Sequence, residues 1–136
     1  MSRRLLRKVA LRILELVQQD QAELSLALVD NREIQALNTK FRNKDAPTDV
    51  LSFPADNHAN PGITLLGDVI ISVEKAEQQA KERKRSLQEE MVILLVHGIL
   101  HLIGYDHERS PRDARIMGRL EKNIYRALCE QGLLRV

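Results

Sequence analysis

From Met91 to Ile103 the chain is apolar almost without interruption, yet it carries two histidines, His97 and His101, four residues apart. A helix that is apolar on every side belongs in the interior of a domain, so this segment fixes what the rest of the chain packs around. Its ends are marked. Ser86 and Glu89 have the capping-box spacing that opens a helix, and Gly104 is placed to close it in a left-handed conformation. Histidines four apart project from one helical face about a turn from each other. Beyond Gly104 the chain turns back, and His107 returns to the same locality.

A single histidine on an apolar helix is ordinarily a hydrogen-bonded core residue. Two imidazoles in one apolar helix lack evident partners, and the pattern H-x3-H-x2-G-x2-H supplies three nitrogens to one place. Imidazole nitrogens bind zinc at roughly 2.0–2.1 Å, and a tetrahedral ion with three protein ligands keeps a fourth position for water. His97, His101 and His107 are therefore the expected metal ligands, with one zinc ion per chain as first choice; iron, nickel and copper also accept imidazole. His58, in the turn-rich ADNHANPG, reads as a surface residue. The spacing equals that of the metzincin peptidases, but Gly98 stands where those enzymes place a glutamate base, which argues against peptide hydrolysis. A metal still lowers the pKa of water without that base. Asp106 reads first as a turn residue, and otherwise as a partner of the ligands or a proton acceptor.

The chain has 136 residues, the size of a single domain spanning 1–136. With two Phe, two Tyr and no Trp, its core must be aliphatic, and a broad base-stacking platform for single-stranded nucleic acid is not expected. Cys129 has no second cysteine to pair with; it reads as a small buried apolar residue in a reducing compartment. The N-terminal leucines are interrupted by Arg and Lys, unlike a signal peptide, and no apolar run is long enough to span a bilayer, so a soluble cytoplasmic protein with no membrane partner is expected. Net charge is only +2, but Arg3, Arg4, Arg7, Lys8 and Arg12 form one basic cluster and Lys81, Arg83, Lys84 and Arg85 another. Either is first a solvated helix surface and second a phosphate-binding patch.

Leu5, Val9, Ile13, Leu16 and Val17 predict an amphipathic helix over 3–19. The alternating leucines of Ala22–Asp30 predict a strand. Asp30 caps a helix with Ile34, Leu37 and Phe41 on one face. Pro47 breaks the helix, VLSFP is a short strand ended by Pro54, and Ile63–Ser72 is a third, with Gly67 as a bulge or close-approach point. Ser72 caps a polar helix through about Arg83. Ser110 with Pro111 opens a last one, which runs to about Glu130 and ends at Gly132. The expected fold is α+β, a small mixed β-sheet packed with several helices around a zincin-like central helix that carries the histidine motif.

HGILHLIGYDH (His97–His107), FRNKDAPTDVLSFP (Phe41–Pro54) and LLGDVIIS (Leu65–Ser72) together resemble the YbeY family of bacterial endoribonucleases and rRNA maturation factors. The resemblance covers most of the chain from Asn38 to His107, in the same block order. It implies a metal-dependent endoribonuclease acting on single-stranded RNA, in 16S rRNA 3′-end maturation and ribosome quality control. The implied partners are the small ribosomal subunit and ribosome-associated proteins; the oligomeric state stays open. It also implies zinc on His97, His101 and His107, catalysis through Arg42 and the ligand His97, and substrate contacts from Arg42 and Lys44. A fixed guanidinium suits the negative charge that builds up in phosphodiester cleavage. Asp45, Thr48 and Asp49 are expected to shape the loop after Arg42, and Ser52 and Asp68 to line the cleft. Two alternatives stay open: a zinc peptidase lacking the usual Glu base, and a non-catalytic ribosome-assembly factor with a structural metal.

Overall fold

The computed structural model describes residues 2–55 and 64–134. Along them run α1 (Arg3–Leu16), β1 (Glu23–Val29), α2 (Asn31–Arg42), β2 (Val50–Pro54), β3 (Leu65–Ser72), α3 (Val73–Glu82), α4 (Leu87–Leu102) and α5 (Pro111–Glu130). Most of the loop expected at Ala55–Gly62, including His58, lies outside the described residues, as does Ile63 at the start of the third expected strand.

The helices begin where short polar side chains can take up their free N–H groups. Asp30 Oδ1 accepts from Glu33 N at 2.8 Å, Ser72 Oγ from Lys75 N at 3.2 Å, Ser86 Oγ from Glu89 N at 3.0 Å, and Ser110 Oγ from Asp113 N at 3.0 Å. Each such cap contributes on the order of 1 kcal/mol. The end of α1 departs from the sequence expectation. Gln18 adopts φ 61° and Gln19 N donates to Leu14 O, so the helix closes at Leu16 rather than near residue 19. Its buried stripe is also rotated, centred on Leu6, Val9, Ala10, Ile13 and Leu14.

The strands lie in the order β1-β3-β2, with β1 parallel and β2 antiparallel to β3, giving the expected α+β architecture with a mixed sheet. Both readings of Gly67 hold. The β1–β3 register shifts so that Glu23 pairs with Leu65 and Leu24 with Gly67, leaving Leu66 as the extra residue. Gly67 has φ 144°, and a Cβ there would collide with the Phe53 carbonyl oxygen.

α4 lies against β2 and β3, with α1 and α5 packed on it. Its Leu95, Ile99 and Leu100 meet Ile13, Val69 and Met117 in one aliphatic core, where full burial of each such side chain stabilises by about 1.5–3 kcal/mol. The histidine helix is therefore central, as its composition requires. Its first-turn Glu90 is buried with it, 0% exposed and bonded to Arg83 at 2.7 Å and Arg85 at 3.2 Å. α2 covers the other face of the sheet, where Ile34 is buried. Phe41 does not continue that buried face as expected. Asn38 takes the place next to Ile34, and its Nδ2 donates to Ala46 O at 2.9 Å, while Phe41 is left exposed at the helix end.

Candidate metal centre

The three histidines are brought together by the way α4 stops. Gly104 has φ 107°; its N–H donates to His101 O at 3.1 Å, and Tyr105 N donates to Leu100 O at 3.1 Å. This is the paired closure that lets a helix reverse direction over one left-handed residue. Asp106 then folds the returning chain, its Oδ1 accepting from Glu108 N at 2.8 Å. That bond, ahead of the nearby His101 and Arg109, holds the Asp106 carboxyl below the usual carboxylate range. Asp106 is thus engaged in the turn that delivers His107.

Ring centroids are 4.9 Å apart for His97 and His101, 5.0 Å for His97 and His107, and 5.5 Å for His101 and His107. One ligand nitrogen from each lies within 4.8 Å of the other two. His97 and His101 are half-buried and His107 is exposed, so the cluster has an inner wall and an open side. Burial, followed by the charge of His97, pushes the His101 imidazole below its ordinary range; His107 and Arg42 add to this and Asp106 opposes it. A depressed imidazole is neutral at pH 7, the form that binds a metal. Three imidazoles around one solvent-facing point are a donor set that fits a zinc-like ion with a position left for water. The ion's identity is not fixed by these donors.

Glu121 on α5 was not anticipated. His97 Nδ1 lies 3.4 Å from its Oε2; an imidazole that donates from Nδ1 to this carboxylate would keep the Nε2 lone pair for an ion, the way carboxylates commonly orient metal-binding imidazoles. A sequence signal existed: Glu121 falls between Met117 and Ile124, both buried, at helical spacing on the inner side of α5.

Gly98 has a packing reason. A Cβ there would lie 2.8 Å from Val69 Cγ1 and 3.2 Å from Ser52 Oγ, so glycine is what lets α4 settle onto the sheet. A glutamate at this position would face the core rather than the open side of the histidine cluster, which removes the peptidase base on steric grounds.

Arg42 is the last residue of α2, where Asn43 ends the helix with φ 57°. Ser72 N donates to Asp49 O and Ala55 N to Leu66 O, so alternation along β2 turns the Ser52 carbonyl away from β3, at the sheet edge. Arg42 NH2 donates to that carbonyl at 2.9 Å. Ser52 Oγ in turn donates to Gly98 O at 3.0 Å on the histidine helix, and the Arg42 charge is felt at His101. Ser52 is thus a buried brace between Arg42 and the histidine helix rather than an open wall of the cleft. Asp68 is exposed on the opposite sheet face, across from Phe53.

In the loop after Arg42, Asp45 Oδ1 accepts from Gln35 Nε2 at 3.0 Å and Asp49 Oδ1 from Val50 N at 2.8 Å, the shaping role expected of them. Lys44 is exposed two residues beyond Arg42. Of the basic clusters, the second is exposed, but its Arg83 and Arg85 hold the buried Glu90. In the first, Arg3 and Arg7 border a groove of about 840 Å³ between α1 and β1 that none of the histidines lines. Cys129 is half-buried rather than buried, and the nearby Tyr125 hydroxyl is pushed up to about 12 by burial first, then by Glu89 and Cys129. Among the described residues no helix is long and apolar enough to cross a membrane.

A family model described as "Endoribonuclease YbeY" matches residues 1–129. The chain is 46% identical over 130 residues to an "Endoribonuclease YbeY" of Sulfurihydrogenibium sp., an alignment covering 95% of this chain and 86% of that one. It is 53% identical over 114 residues to one of Myxococcus xanthus; the match covers 82% of this chain and only 37% of that longer protein. The solution structure of TM1509 from Thermotoga maritima is similar at a TM-score of 0.63 and 31% identity, over 90% of this chain and 79% of that one.

Proposed function

Since the chain belongs to the YbeY family of endoribonucleases, we propose that it cleaves phosphodiester bonds in single-stranded RNA at the open side of the histidine cluster. The observation that carries this reading is the convergence of three imidazoles at a helix that Ser52 ties to Arg42 at the sheet edge. His97, His101 and His107 would hold the ion, for which zinc is the first choice. What a bound ion supplies there is Lewis acidity, as a more acidic water or a polarised phosphoryl oxygen.

The chain's own residues do the rest. Glu121 fixes the ring of His97 and so keeps its free nitrogen aimed at the cluster. Arg42 has one N–H engaged by Ser52 O, which orients the guanidinium; its remaining N–H groups grip the scissile phosphate and stabilise the charge that grows on its oxygens. Lys44 adds a second contact to the RNA backbone, so binding falls with added salt. The biological setting proposed is 16S rRNA 3′-end maturation and ribosome quality control in the cytoplasm, alongside the small ribosomal subunit and its associated proteins.

The test is a cleavage assay on unpaired RNA and on peptides with zinc present. The expected result is cut RNA, intact peptide, loss of cutting with a chelator, and recovery when zinc is returned. Peptide cleavage, or RNA cleavage indifferent to chelation, would overturn the reading.

A further inference from the structure

Two of the four aromatic rings counted in the sequence as too few for a broad nucleic-acid platform meet at one point. Phe41, at the end of α2, and Phe53, near the end of β2, have ring centroids 5.3 Å apart and planes tilted by 60°. Phe41 is 56% exposed. Lone exposed apolar side chains are common and carry no message by themselves. What sets Phe41 apart from exposed Leu11, Leu28 and Ile116 is its company. Lys40 Nζ lies 5.2 Å from the Phe41 ring centroid, and the Arg42 guanidinium lies 5.7 Å from that of Phe53.

We propose that Phe41, backed by Phe53, is a stacking site for one unpaired nucleobase, belonging to the nucleotide beside the phosphate held by Arg42. The proposal rests on the endoribonuclease reading and adds to it a contact that selects the substrate. Rings and cations in alternation are what a single strand requires, because each nucleotide presents a π-face and a phosphate in turn. The cross-strand pairing of Phe53 with Asp68 places the Phe53 ring on the sheet face opposite α4, while Ser52, one residue earlier, faces α4. Arg42 spans the β2 edge between these two faces. A strand laid across that edge sets its phosphate on Arg42 and the adjoining base on Phe41. Lys40, exposed over the ring, is free to exchange that position for a backbone phosphate. Asp68, exposed across from Phe53, repels the backbone on its own side and favours the Lys40–Arg42 side. A base locked in a duplex cannot offer its face to Phe41, so the site discriminates against paired RNA by geometry.

The chain contains no Trp, so Phe41→Trp introduces a sole indole reporter. Titration of the zinc-loaded protein with a 2′-O-methyl oligoadenylate is expected to quench that indole. In parallel, Phe41→Leu, which keeps apolar bulk without a π-face, is expected to bind the oligomer about 5- to 150-fold more weakly than wild type, with Phe41→Tyr close to wild type. An abasic oligomer of equal length, with the same phosphates, is expected to bind wild type and Phe41→Leu alike. Equal affinity of wild type and Phe41→Leu for the base-bearing oligomer, or an undiminished gap between them on the abasic one, overturns the stacking site. If wild type cleaves RNA in either of those cases, only this inference falls; if wild type neither binds nor cleaves RNA, the endoribonuclease reading falls with it.

Discussion

Replacing Arg42 with alanine is expected to slow RNA cleavage by about 10²–10³-fold while metal content and fold are retained, the loss typical when one preorganised charge-stabilising donor is removed. The expectation follows from how Arg42 is held. Its NH2 group donates to Ser52 O at 2.9 Å, and Ser52 Oγ reaches Gly98 O at 3.0 Å, so the guanidinium is tied to the helix that bears His97 and His101. A donor fixed in advance does not reorganise as charge develops, and the loss should therefore fall on kcat more than on KM. Arg42→Lys restores the charge without the planar fork and should recover only part of the rate. Arg42 is exposed and outside the core, so thermal unfolding should barely move. Single-turnover kinetics beside metal analysis checks this. An unchanged rate, or a rate loss that only follows lost metal, would remove Arg42 from the chemistry.

The double substitution Arg83→Ala with Arg85→Ala is expected to destabilise the protein by about 3–5 kcal/mol, because it leaves the Glu90 carboxylate buried and uncompensated. Glu90 lies in the first turn of α4 with its side chain 0% exposed, while Arg83 and Arg85 are 47% and 38% exposed. That asymmetry decides the order of effects. Without Glu90 the two guanidinium groups return to water, so Glu90→Gln should cost less than the double change. Either arginine alone should also cost less, since its neighbour still holds one carboxylate oxygen. Set against total stabilities of about 5–15 kcal/mol, the double variant approaches unfolding, and α4 would loosen at the end opposite its histidines. Urea denaturation gives the measurement. A double variant within about 1 kcal/mol of wild type would mean that the pair contributes little beyond its surface geometry.

Both effects show which parts of the molecule were readable along the chain. Asp30, Ser72, Ser86 and Ser110 were found because a cap and the N–H it accepts from lie three residues apart, and the sequence preserves that spacing. The histidine cluster was legible for the same reason: a turn of helix and a glycine-closed return keep His97, His101 and His107 within eleven residues. Distant pairs were not legible. Glu121 meets His97 across 24 positions and Ser52 meets Gly98 across 46, on separate elements whose docking no local pattern states. Phe41 was placed on the inner face because helical periodicity gives an angle and not a depth; at the end of α2 it meets the Phe53 ring yet stays 56% exposed. Gln18 hid the end of α1, since an apolar pattern continued through Val17 while the backbone had already turned left-handed.

The account depends most on three imidazoles sharing one ion, and metal stoichiometry after dialysis against zinc tests that most directly. Wild type and Arg42→Ala should each retain one zinc ion per chain, and His97→Ala should retain none while keeping its helical circular dichroism. A folded His97→Ala protein holding a full equivalent of zinc, or a wild-type protein holding none, would contradict it.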